Sequence, residues 1–386
     1  MKRIILVILS LLLVACSATK EENEAIKKES VFLGTLNDSE GQMVLPLNTE
    51  VYLTYCKESK KDVLLNKCQE LLFEYHKLLD SYRYYLDEDN KTITNLKVIN
   101  QHFNEEIVID EKLFDALKEA IELSKLTKGY FNPTIGKLFA LYNDKLLPYD
   151  TNNTDPSKED IELMLEAVVP YEEIDKYIVL NEKNTSITLI PYNNLEYEIN
   201  LGAFSKGYVI DKIYEELIKY HTSFMINAGS SSICAYIDEN EDVKWSVGSK
   251  DPNDKSSILY AYQLNNGFIS TSGDYEQYYF NENNIRRHHI INPFTGYSEN
   301  YHRVVEIKSD KKDSAIDALT TALFSIDDLQ TIQSIIDDIS LYYDMKIDYC
   351  LEKDDYTLIM SEGFKEVLID SYSSNKIKEI IIEWKE

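Results

Sequence analysis

The sequence has few cysteines, and no two of them lie at a spacing typical of metal ligation. The five are Cys16, Cys56, Cys68, Cys234 and Cys350, and the intervals between them exclude the short Cys-x-x-Cys arrangements of structural zinc sites. An exported chain could oxidise Cys56 with Cys68 or leave both reduced. We expect buried thiols.

Positive charge is also scarce. The chain has 40 Lys and Arg against 67 Asp and Glu, which gives a formal net charge of −27. Nucleic acid and anionic membrane surfaces would be repelled by such a chain, so the charge argues against both as partners. An anionic nucleotide could still bind, but only beside a local cation such as a metal ion.

The only long apolar run at the amino terminus is too short to cross a bilayer. Residues 4–14 contain one polar residue, Ser10, whereas a spanning helix needs about 20 apolar residues. After Lys2 and Arg3 this length is typical of a signal peptide. The following segment, Leu13 to Cys16, resembles a bacterial lipobox, which implies lipidation of Cys16. The alternative is a plain secretion signal in which Cys16 is incidental.

Three regions follow from this pattern. Residues 1–15 are the predicted signal peptide, and residues 16–45 the predicted lipidated cysteine and flexible tether, because they carry few large apolar groups. Residues 46–386 form one folded domain, since neither a solenoid repeat nor a long Pro- or Gly-rich linker interrupts them.

Hydrophobic spacing predicts alternating helices and strands in that domain. Runs of strands with helices between them indicate an α+β fold with mixed sheets and flanking helices. The predicted helices are 58–79, 111–127, 157–168, 204–219, 313–325 and 328–338. The predicted strands are 51–55, 177–180, 186–190, 196–201, 224–227, 232–237, 243–248, 258–264 and 267–271.

Four glycine-containing segments fall at predicted turns. In residues 200–208, NLGAFSKGY, a strand runs through glycine into a helix, which leaves main-chain amides free to stabilise an anion beside Lys206. Taken alone, each such segment is more often just a tight turn.

The predicted helix 313–325 is apolar on most sides, yet it carries Asp317 and Thr321 one turn apart. A buried carboxylate needs a partner, and a hard cation such as Mg²⁺ would accept carboxylate and hydroxyl ligands. The alternative is that Asp317 caps a helix by accepting hydrogen bonds from main-chain amides.

Seven ordered segments together resemble the ApbE family of FAD:protein FMN transferases, over about residues 45–340. They are GYFNPTIG, NLGAFSKGY, INAG, WSVGSKDP, STSGDYEQY, HHIINPFTGY and DALTTALF. The resemblance implies a single α+β unit with the flavin in a cleft.

The resemblance also implies site residues. The metal ligands would be Asp317, Thr321 and the main-chain carbonyl of Ala203, and His289 and Asp317 would be catalytic. The positions that match the family's flavin contacts are Tyr82, Tyr130, Phe131, Asn132, Asn200, Lys206 and His289. Leu47 stands where many members have methionine.

The chain departs from the family pattern mainly by lacking acidic side chains at family positions. Asn132, Asn200 and Asn292 replace aspartates, and Ser230 and Ser231 replace a glycine and an aspartate. Asparagine keeps the shape but loses the charge, so contacts to flavin can survive while a general-base role cannot.

The implied reaction is Mg²⁺-dependent transfer of FMN from FAD to a Thr or Ser hydroxyl of an exported acceptor protein, with release of AMP. His289 could orient a phosphate or move the acceptor proton, whereas His288 is expected to be structural. Two alternatives remain: hydrolysis of FAD to FMN and AMP, and a flavin-binding lipoprotein without catalysis.

Overall fold

The structure, a computed structural model, describes residues 25–146, 154–369 and 374–383. The predicted signal peptide and Cys16 lie outside the described residues. Within the described ranges no helix combines the length and the apolar run that crossing a bilayer would require.

Ten α-helices occur in the described ranges. They are α1 (Lys61–Leu79), α2 (Leu96–Ile99), α3 (Glu111–Leu126), α4 (Gly136–Leu146), α5 (Lys158–Glu166), α6 (Ile174–Tyr177), α7 (Ser205–Leu217), α8 (Asp313–Phe324), α9 (Leu329–Tyr343) and α10 (Glu362–Lys365).

Most strands belong to one large sheet, and the others form small sheets around it. The strands are β1 (Glu29–Phe32), β2 (Leu36–Asn37), β3 (Met43–Val44), β4 (Val51–Tyr55), β5 (Glu106–Val108), β6 (Ile178–Asn181), β7 (Ser186–Leu189), β8 (Phe224–Ala228), β9 (Ser232–Tyr236), β10 (Trp245–Asp251), β11 (Asp254–Leu264), β12 (Gly267–Gly273), β13 (Tyr278–Phe280), β14 (Arg286–His288), β15 (Val304–Ser309), β16 (Ile347–Glu352), β17 (Thr357–Ser361) and β18 (Glu379–Glu383).

The central sheet has nine strands in the order β1-β4-β8-β9-β12-β15-β16-β17-β18. Its neighbouring strands are antiparallel except for β17 and β18, which are parallel. A three-stranded sheet, β5-β7-β6, and the ribbons β10-β11, β13-β14 and β2-β3 complete the strand pairing of the described residues. The predicted α+β fold with mixed sheets is confirmed.

The two faces of the central sheet pack against different elements. Alternate residues of β12 point to opposite faces: Phe268 joins the core beneath α1, α7 and α8, whereas Ile269 joins the core beneath the β10-β11 ribbon. Helix α8, the most apolar of the amphipathic helices by sequence, lies directly on β12 and β15.

The predicted tether is too long. Strand β1 pairs antiparallel with β4, and Leu33, immediately after β1, is fully buried. This polar stretch forms a strand because β4 offers it an unpaired sheet edge. A few alternating apolar side chains are then enough to hold the strand in place.

The remaining differences concern short elements. Residues 196–201 form no strand but one isolated bridge, between Ile135 and Glu198, and α4 was not predicted. Strands β15 and β16 were also missed, because the buried residues Glu306, Asp348 and Glu352 interrupt their apolar pattern. Strand β17 was missed as well, although it contains no acidic residue. Buried thiols are confirmed for Cys56, Cys68, Cys234 and Cys350, which are all free.

Candidate active site

Asp317 lies at the contact between helices α7 and α8. Its side chain is 2 % exposed, and its Oδ2 accepts a hydrogen bond of 3.0 Å from the Gly207 amide in the first turn of α7. Its Oδ1 accepts a bond of 3.2 Å from Ser270 Oγ on β12. Asp317 therefore does not cap its own helix, which begins four residues earlier; it receives an otherwise unpaired amide of the neighbouring helix.

The Ala203 carbonyl takes no part in the hydrogen bonds of α7. Ala203 precedes the N-cap residue Phe204, and the Gly207 amide, four residues later, donates to Asp317. Among the described residues no main-chain amide donates to Ala203. The Ala203 carbonyl, one residue before the N-cap of α7, is therefore free on the side of the helix start that contacts Asp317 of α8.

The two threonines of α8 differ in their surroundings. Thr320 is buried, and its hydroxyl donates to the Asp317 carbonyl at 2.8 Å and bonds Ser272 Oγ at 2.9 Å. Thr321 is partly exposed and lies one turn after Asp317. Only Thr321 therefore offers a hydroxyl that is not already used within the protein.

This set of oxygen atoms fits a hard cation. A carboxylate, a hydroxyl and a main-chain carbonyl are ligands that Mg²⁺ accepts while keeping waters or substrate phosphates in its other positions. Burial raises the pKa of Asp317, and the charge of Lys206 opposes that rise. Within the described ranges there is no cluster of three or more His, Cys, Asp or Glu side chains suited to a metal, so the fit rests on this mixed set.

His289 lies near enough to Lys206 to experience the charge of that lysine. The pKa of His289 is lowered by burial, by His288 and by the charge of Lys206, so the imidazole is neutral at pH 7. Its Nδ1 is inaccessible and has no hydrogen-bond partner among the described residues. The residue as a whole is partly exposed, and a neutral imidazole can accept a proton.

His288 is structural, as expected. Its Nδ1 accepts from the Ile290 amide at 3.2 Å, and its Nε2 bonds the Glu299 carbonyl at 2.8 Å. Both ring nitrogens are thus used within the protein, and burial lowers the pKa of His288 to about 4.

Tyr82 and Asn200 are held together at the entrance to α7. Asn200 Nδ2 donates to the Tyr82 hydroxyl at 2.8 Å, and Asn200 Oδ1 accepts from the Gly202 amide at 2.8 Å. The ring of Tyr82 remains 40 % exposed. The tyrosine therefore presents an open aromatic side chain next to the start of α7.

Asp80 fixes the loop that carries Tyr82. Its Oδ1 accepts from the Tyr82 amide at 2.6 Å, and its Oδ2 accepts from the Tyr85 hydroxyl at 2.7 Å. Tyr85 in turn bonds His76 Nε2, whose Nδ1 accepts from the Leu47 amide at 3.0 Å. This chain of hydrogen bonds joins Leu47 to the loop of Tyr82, the tyrosine that the sequence predicts to contact the flavin.

The segment that contains Tyr130 supplies only one open side chain. Tyr130 is partly exposed and packs edge-on against Phe294, with ring centroids 4.9 Å apart. Phe131 is 2 % exposed and lies in the main core. Asn132 is buried, donates to the Val169 carbonyl and accepts from the amide and hydroxyl of Thr134. The side chains of Phe131 and Asn132 are thus used within the protein, and the contact of this stretch with a flavin stays a prediction.

The other departures from the family pattern are also used within the protein. Asn292 Oδ1 accepts from the Phe294 amide, and its Nδ2 donates to Glu299 at 3.1 Å. Ser231 Oγ donates to the Thr271 carbonyl, and the Ser230 amide donates to Asn227. These residues shape turns.

Two contributors were missed by sequence reasoning. Ser270 bonds Asp317 directly, and Asp211 accepts from the Asp313 amide at 2.7 Å and the Ser314 hydroxyl at 2.6 Å. The Gly207–Asp211 spacing, one helical turn, was the available signal for Asp211. Ser270 gives no signal beyond its place in the STSG segment, because its role depends on which face of β12 meets α8.

Two relatives illustrate what the chain is similar to. It is 27% identical over 224 residues to the FAD:protein FMN transferase of Klebsiella pneumoniae (strain 342), which is 57% of this chain and 64% of that protein. It is 27% identical over 264 residues to the FAD:protein FMN transferase of Vibrio cholerae, which is 67% of this chain and 72% of that protein. The chain thus spans under two thirds of the first relative's length.

Solved structures show the same fold. The ApbE protein of Thermotoga maritima has a TM-score of 0.68 and 24% identity, and the match covers 88% of this chain and 99% of that one. The flavin transferase ApbE of Vibrio cholerae has a TM-score of 0.63 and 20% identity, covering 88% of this chain and 100% of that one. The ApbE family model matches residues 47–340; with more than half of the chain matched, this protein belongs to the ApbE family.

Proposed function

We propose that this protein transfers FMN from FAD to a Thr or Ser hydroxyl of an acceptor protein and releases AMP. The observation that carries the proposal is the pairing of buried Asp317 with the start of α7, where the Ala203 carbonyl accepts no main-chain hydrogen bond, while the partly exposed Thr321 lies one turn along α8. Membership of the ApbE family and the activity named for its relatives support it.

The bond changes balance without a further reactant. The acceptor oxygen forms a bond to the phosphorus of the FMN half, and the bond from that phosphorus to the bridging oxygen of the pyrophosphate breaks. AMP leaves with the bridging oxygen, and the acceptor's hydroxyl proton passes to a base. If water takes the acceptor's place, the products are FMN and AMP.

The protein's own groups position this exchange. Asp317, Thr321 and the Ala203 carbonyl would hold Mg²⁺, which neutralises the pyrophosphate and stabilises charge on the leaving AMP. The positive charge of Lys206 and the positive end of the α7 dipole favour a bound phosphate. Tyr82 and Tyr130 offer aromatic faces to the flavin.

His289 is the base that this arrangement provides. Its lowered pKa keeps it neutral at pH 7, and neither Asn132 nor Asn200 can take up a proton in its place. We assign it to accept the acceptor's proton, whereas His288 holds the turn.

The location follows from the amino-terminal sequence. A chain anchored through lipidated Cys16 lies on the extracytoplasmic face of the cell membrane, and its acceptor is then an exported protein. FAD is the flavin donor, and neither nucleic acid nor the membrane surface itself is a substrate.

One experiment separates the three possible activities. Purified protein is incubated with FAD, with and without Mg²⁺ and with and without an exported FMN-binding domain. AMP is measured by chromatography, and protein-bound flavin by in-gel fluorescence. A transferase yields AMP and a fluorescent acceptor, a hydrolase yields AMP alone, and a flavin-binding lipoprotein leaves FAD whole. Either of the last two results overturns the proposal.

A further inference from the structure

His289 directly follows the β13-β14 ribbon. Each strand of this ribbon has three residues, and the His289 amide extends the pairing by donating to the Gln277 carbonyl at 3.2 Å. The two strands form a sheet of their own, and an isolated two-stranded hairpin is only marginally stable in water. The position of His289 therefore depends on what holds this ribbon against the rest of the protein.

Asp155 lies three residues before α5 and bonds the ribbon at three places. Its Oδ1 accepts from the Tyr279 hydroxyl at 2.8 Å, and its Oδ2 accepts from Asn281 Nδ2 at 3.0 Å. Arg287 donates to the same carboxylate from Nε at 3.0 Å and from Nη2 at 2.8 Å. One carboxylate thus joins β13, β14 and the beginning of the turn between them.

The Asp155–Arg287 ion pair is largely withdrawn from water. The exposed fractions of the two side chains are 16 % and 13 %, and the Arg287 guanidinium lies 4.7 Å from the centroid of the Tyr297 ring. Burial alone would raise the pKa of Asp155, but the hydrogen bonds that it accepts, first that from Arg287, outweigh burial and lower this pKa. The carboxylate is therefore ionised at pH 7. Because a forked contact between arginine and a carboxylate has a defined geometry, it fixes the orientation of β14 as well as its attachment.

The chain is anchored on both sides of His289. After His289, Tyr142 of α4 donates to the Gly296 carbonyl at 2.7 Å. Before it, the Asp155–Arg287 pair ties β14 to the segment that leads into α5. Helices α4 and α5 pack against each other, so His289 lies between two attachments to the same pair of helices.

A second carboxylate, Asp274, also holds the ribbon. It accepts from Arg286 Nη1 at 2.8 Å, but it accepts from Arg303 Nε at 2.9 Å as well. Arg303 is 5 % exposed, so removing Asp274 would leave a buried guanidinium without its buried carboxylate. Among the described residues Asp155 forms an ion pair with Arg287 alone. Asp155 is therefore the anchor whose effect on His289 can be separated from the stability of the core.

We propose that Asp155 is a positioning residue for His289, on which it acts through Arg287 and the β13-β14 ribbon. The inference rests on the proposed function in one respect, the role of His289 as the base. Asp155 needs no contact with FAD, because it acts by fixing the chain that carries the imidazole. A displacement of about 1 Å can lower a catalysed rate by about a hundredfold. Loss of the anchor should therefore lower kcat and leave the binding of FAD intact.

Kinetics of AMP release give the first test. Asp155→Asn removes the charge and turns one carboxylate oxygen into a donor that faces Arg287. We expect kcat to fall by roughly ten- to a hundredfold, while the KM for FAD stays within about twofold of wild type. Asp155→Glu keeps a carboxylate for Arg287 and should recover most of the rate. Lys57→Gln, the matched control, breaks a partly buried ion pair with Glu241 just after β4 and should leave kcat unchanged.

Hydrogen exchange tests the positioning without FAD or Mg²⁺. Exchange in the full folded protein is followed by mass spectrometry on peptides that cover residues 277–289. In Asp155→Asn these amides should exchange at least about tenfold faster than in wild type, because losing a hydrogen-bonded charge pair lets the ribbon open locally. Peptides of β12 should keep their wild-type rates, and Lys57→Gln should leave the ribbon unchanged. A general loss of stability would instead speed exchange in all peptides together.

Two results would overturn the inference. One is a folded Asp155→Asn variant whose ribbon amides exchange at the wild-type rate, and the other is a kcat that falls no further than in Lys57→Gln. A wild-type protein that releases no AMP overturns the proposed function instead, and hydrogen exchange then still decides whether Asp155 holds the chain at His289. If Asp155→Asn does not fold, Arg287→Lys replaces it in both tests, since lysine keeps the charge but loses the forked contact.

Discussion

Asp211 on α7 caps helix α8 through Ser314. The Asp211 carboxylate accepts from the Ser314 amide at 3.1 Å and from the Ser314 hydroxyl at 2.6 Å. A side chain of α7 therefore caps the first turn of α8. Burial raises the pKa of Asp211 to about 6, and the group is ionised at pH 7. This link holds α8, which contains Asp317, against α7, which begins just after Ala203.

We expect Asp211→Asn to loosen that link. One acceptor oxygen is replaced by a donor facing the amides of α8, which should lower the free energy of unfolding by about 1–2 kcal/mol. The Mg²⁺ concentration for half-maximal AMP release should rise several-fold. Asp110→Asn makes the same change at the side-chain cap of α3, far from the Asp211–Ser314 link, and is the matched control. Equal Mg²⁺ dependence in both variants would mean that Asp211 has only a structural role.

Asp317→Ala should lower the rate of AMP release by several orders of magnitude, because metal neutralisation of the pyrophosphate is worth several kcal/mol. FAD should still bind through the aromatic and main-chain contacts. Thr321→Val should have a smaller effect of the same kind. Thr320→Val removes a hydroxyl that is already bonded to Ser272 and should leave the Mg²⁺ dependence unchanged. Wild-type rates and Mg²⁺ dependence in Asp317→Ala would rule out the metal assignment.

Tyr82→Ala should weaken FAD binding by roughly three- to tenfold, since aromatic stacking contributes about 0.5–1.5 kcal/mol beyond area burial. The melting temperature without FAD should change little, because the ring is 40 % exposed. Tyr82→Phe keeps the ring and removes only the acceptor of the Asn200 hydrogen bond. Titration of FAD against both variants separates the two contributions, and an unchanged affinity in Tyr82→Ala would exclude Tyr82 from the site.

The buried histidines should make stability fall in mild acid. Burial lowers the pKa of His302 to about 4, against an ordinary value near 6.5. Between these two pH values the unfolded chain binds the extra proton, so the free energy of unfolding decreases as the pH falls. For His302 alone the loss between pH 7 and pH 5 is on the order of 1–2 kcal/mol.

A difference measurement isolates this contribution. Glu352, with its raised pKa, acts in the opposite direction across the same range, because its stabilisation is present at low pH and lost as the pH rises. Urea unfolding of wild type and His302→Gln at both pH values cancels the Glu352 effect. A variant as sensitive to acid as wild type would contradict the assignment.

Cys16→Ala should abolish acyl labelling and leave the precursor unprocessed at this position. The physical reason is that the lipid is attached to the cysteine thiol, which alanine lacks. Labelled palmitate and membrane fractionation measure the outcome. A wild-type chain that takes up no label and partitions with the cytoplasm would show that the lipoprotein prediction is wrong.

The sequence predicted the long elements well and the small ones poorly. Helices α1 and α3 have strong apolar spacing and end within two residues of prediction. Strand β15 contains Glu306, which is buried by its neighbours across the sheet, and no local pattern reveals that. Asp317 and Thr321 were found because a carboxylate in an apolar helix is unusual, whereas Ser270 depends on tertiary packing alone.

The three asparagines at family aspartate positions share one property: each uses its amide nitrogen as a donor. Asn132 donates to a carbonyl, Asn292 to a carboxylate and Asn200 to a phenol. An aspartate at position 132 or 292 would place oxygen against oxygen in a buried turn. The surroundings have therefore changed together with the residues, and restoring a single aspartate would weaken this chain. Engineering toward the family consensus would have to alter Val169 or Glu299 contacts in the same step.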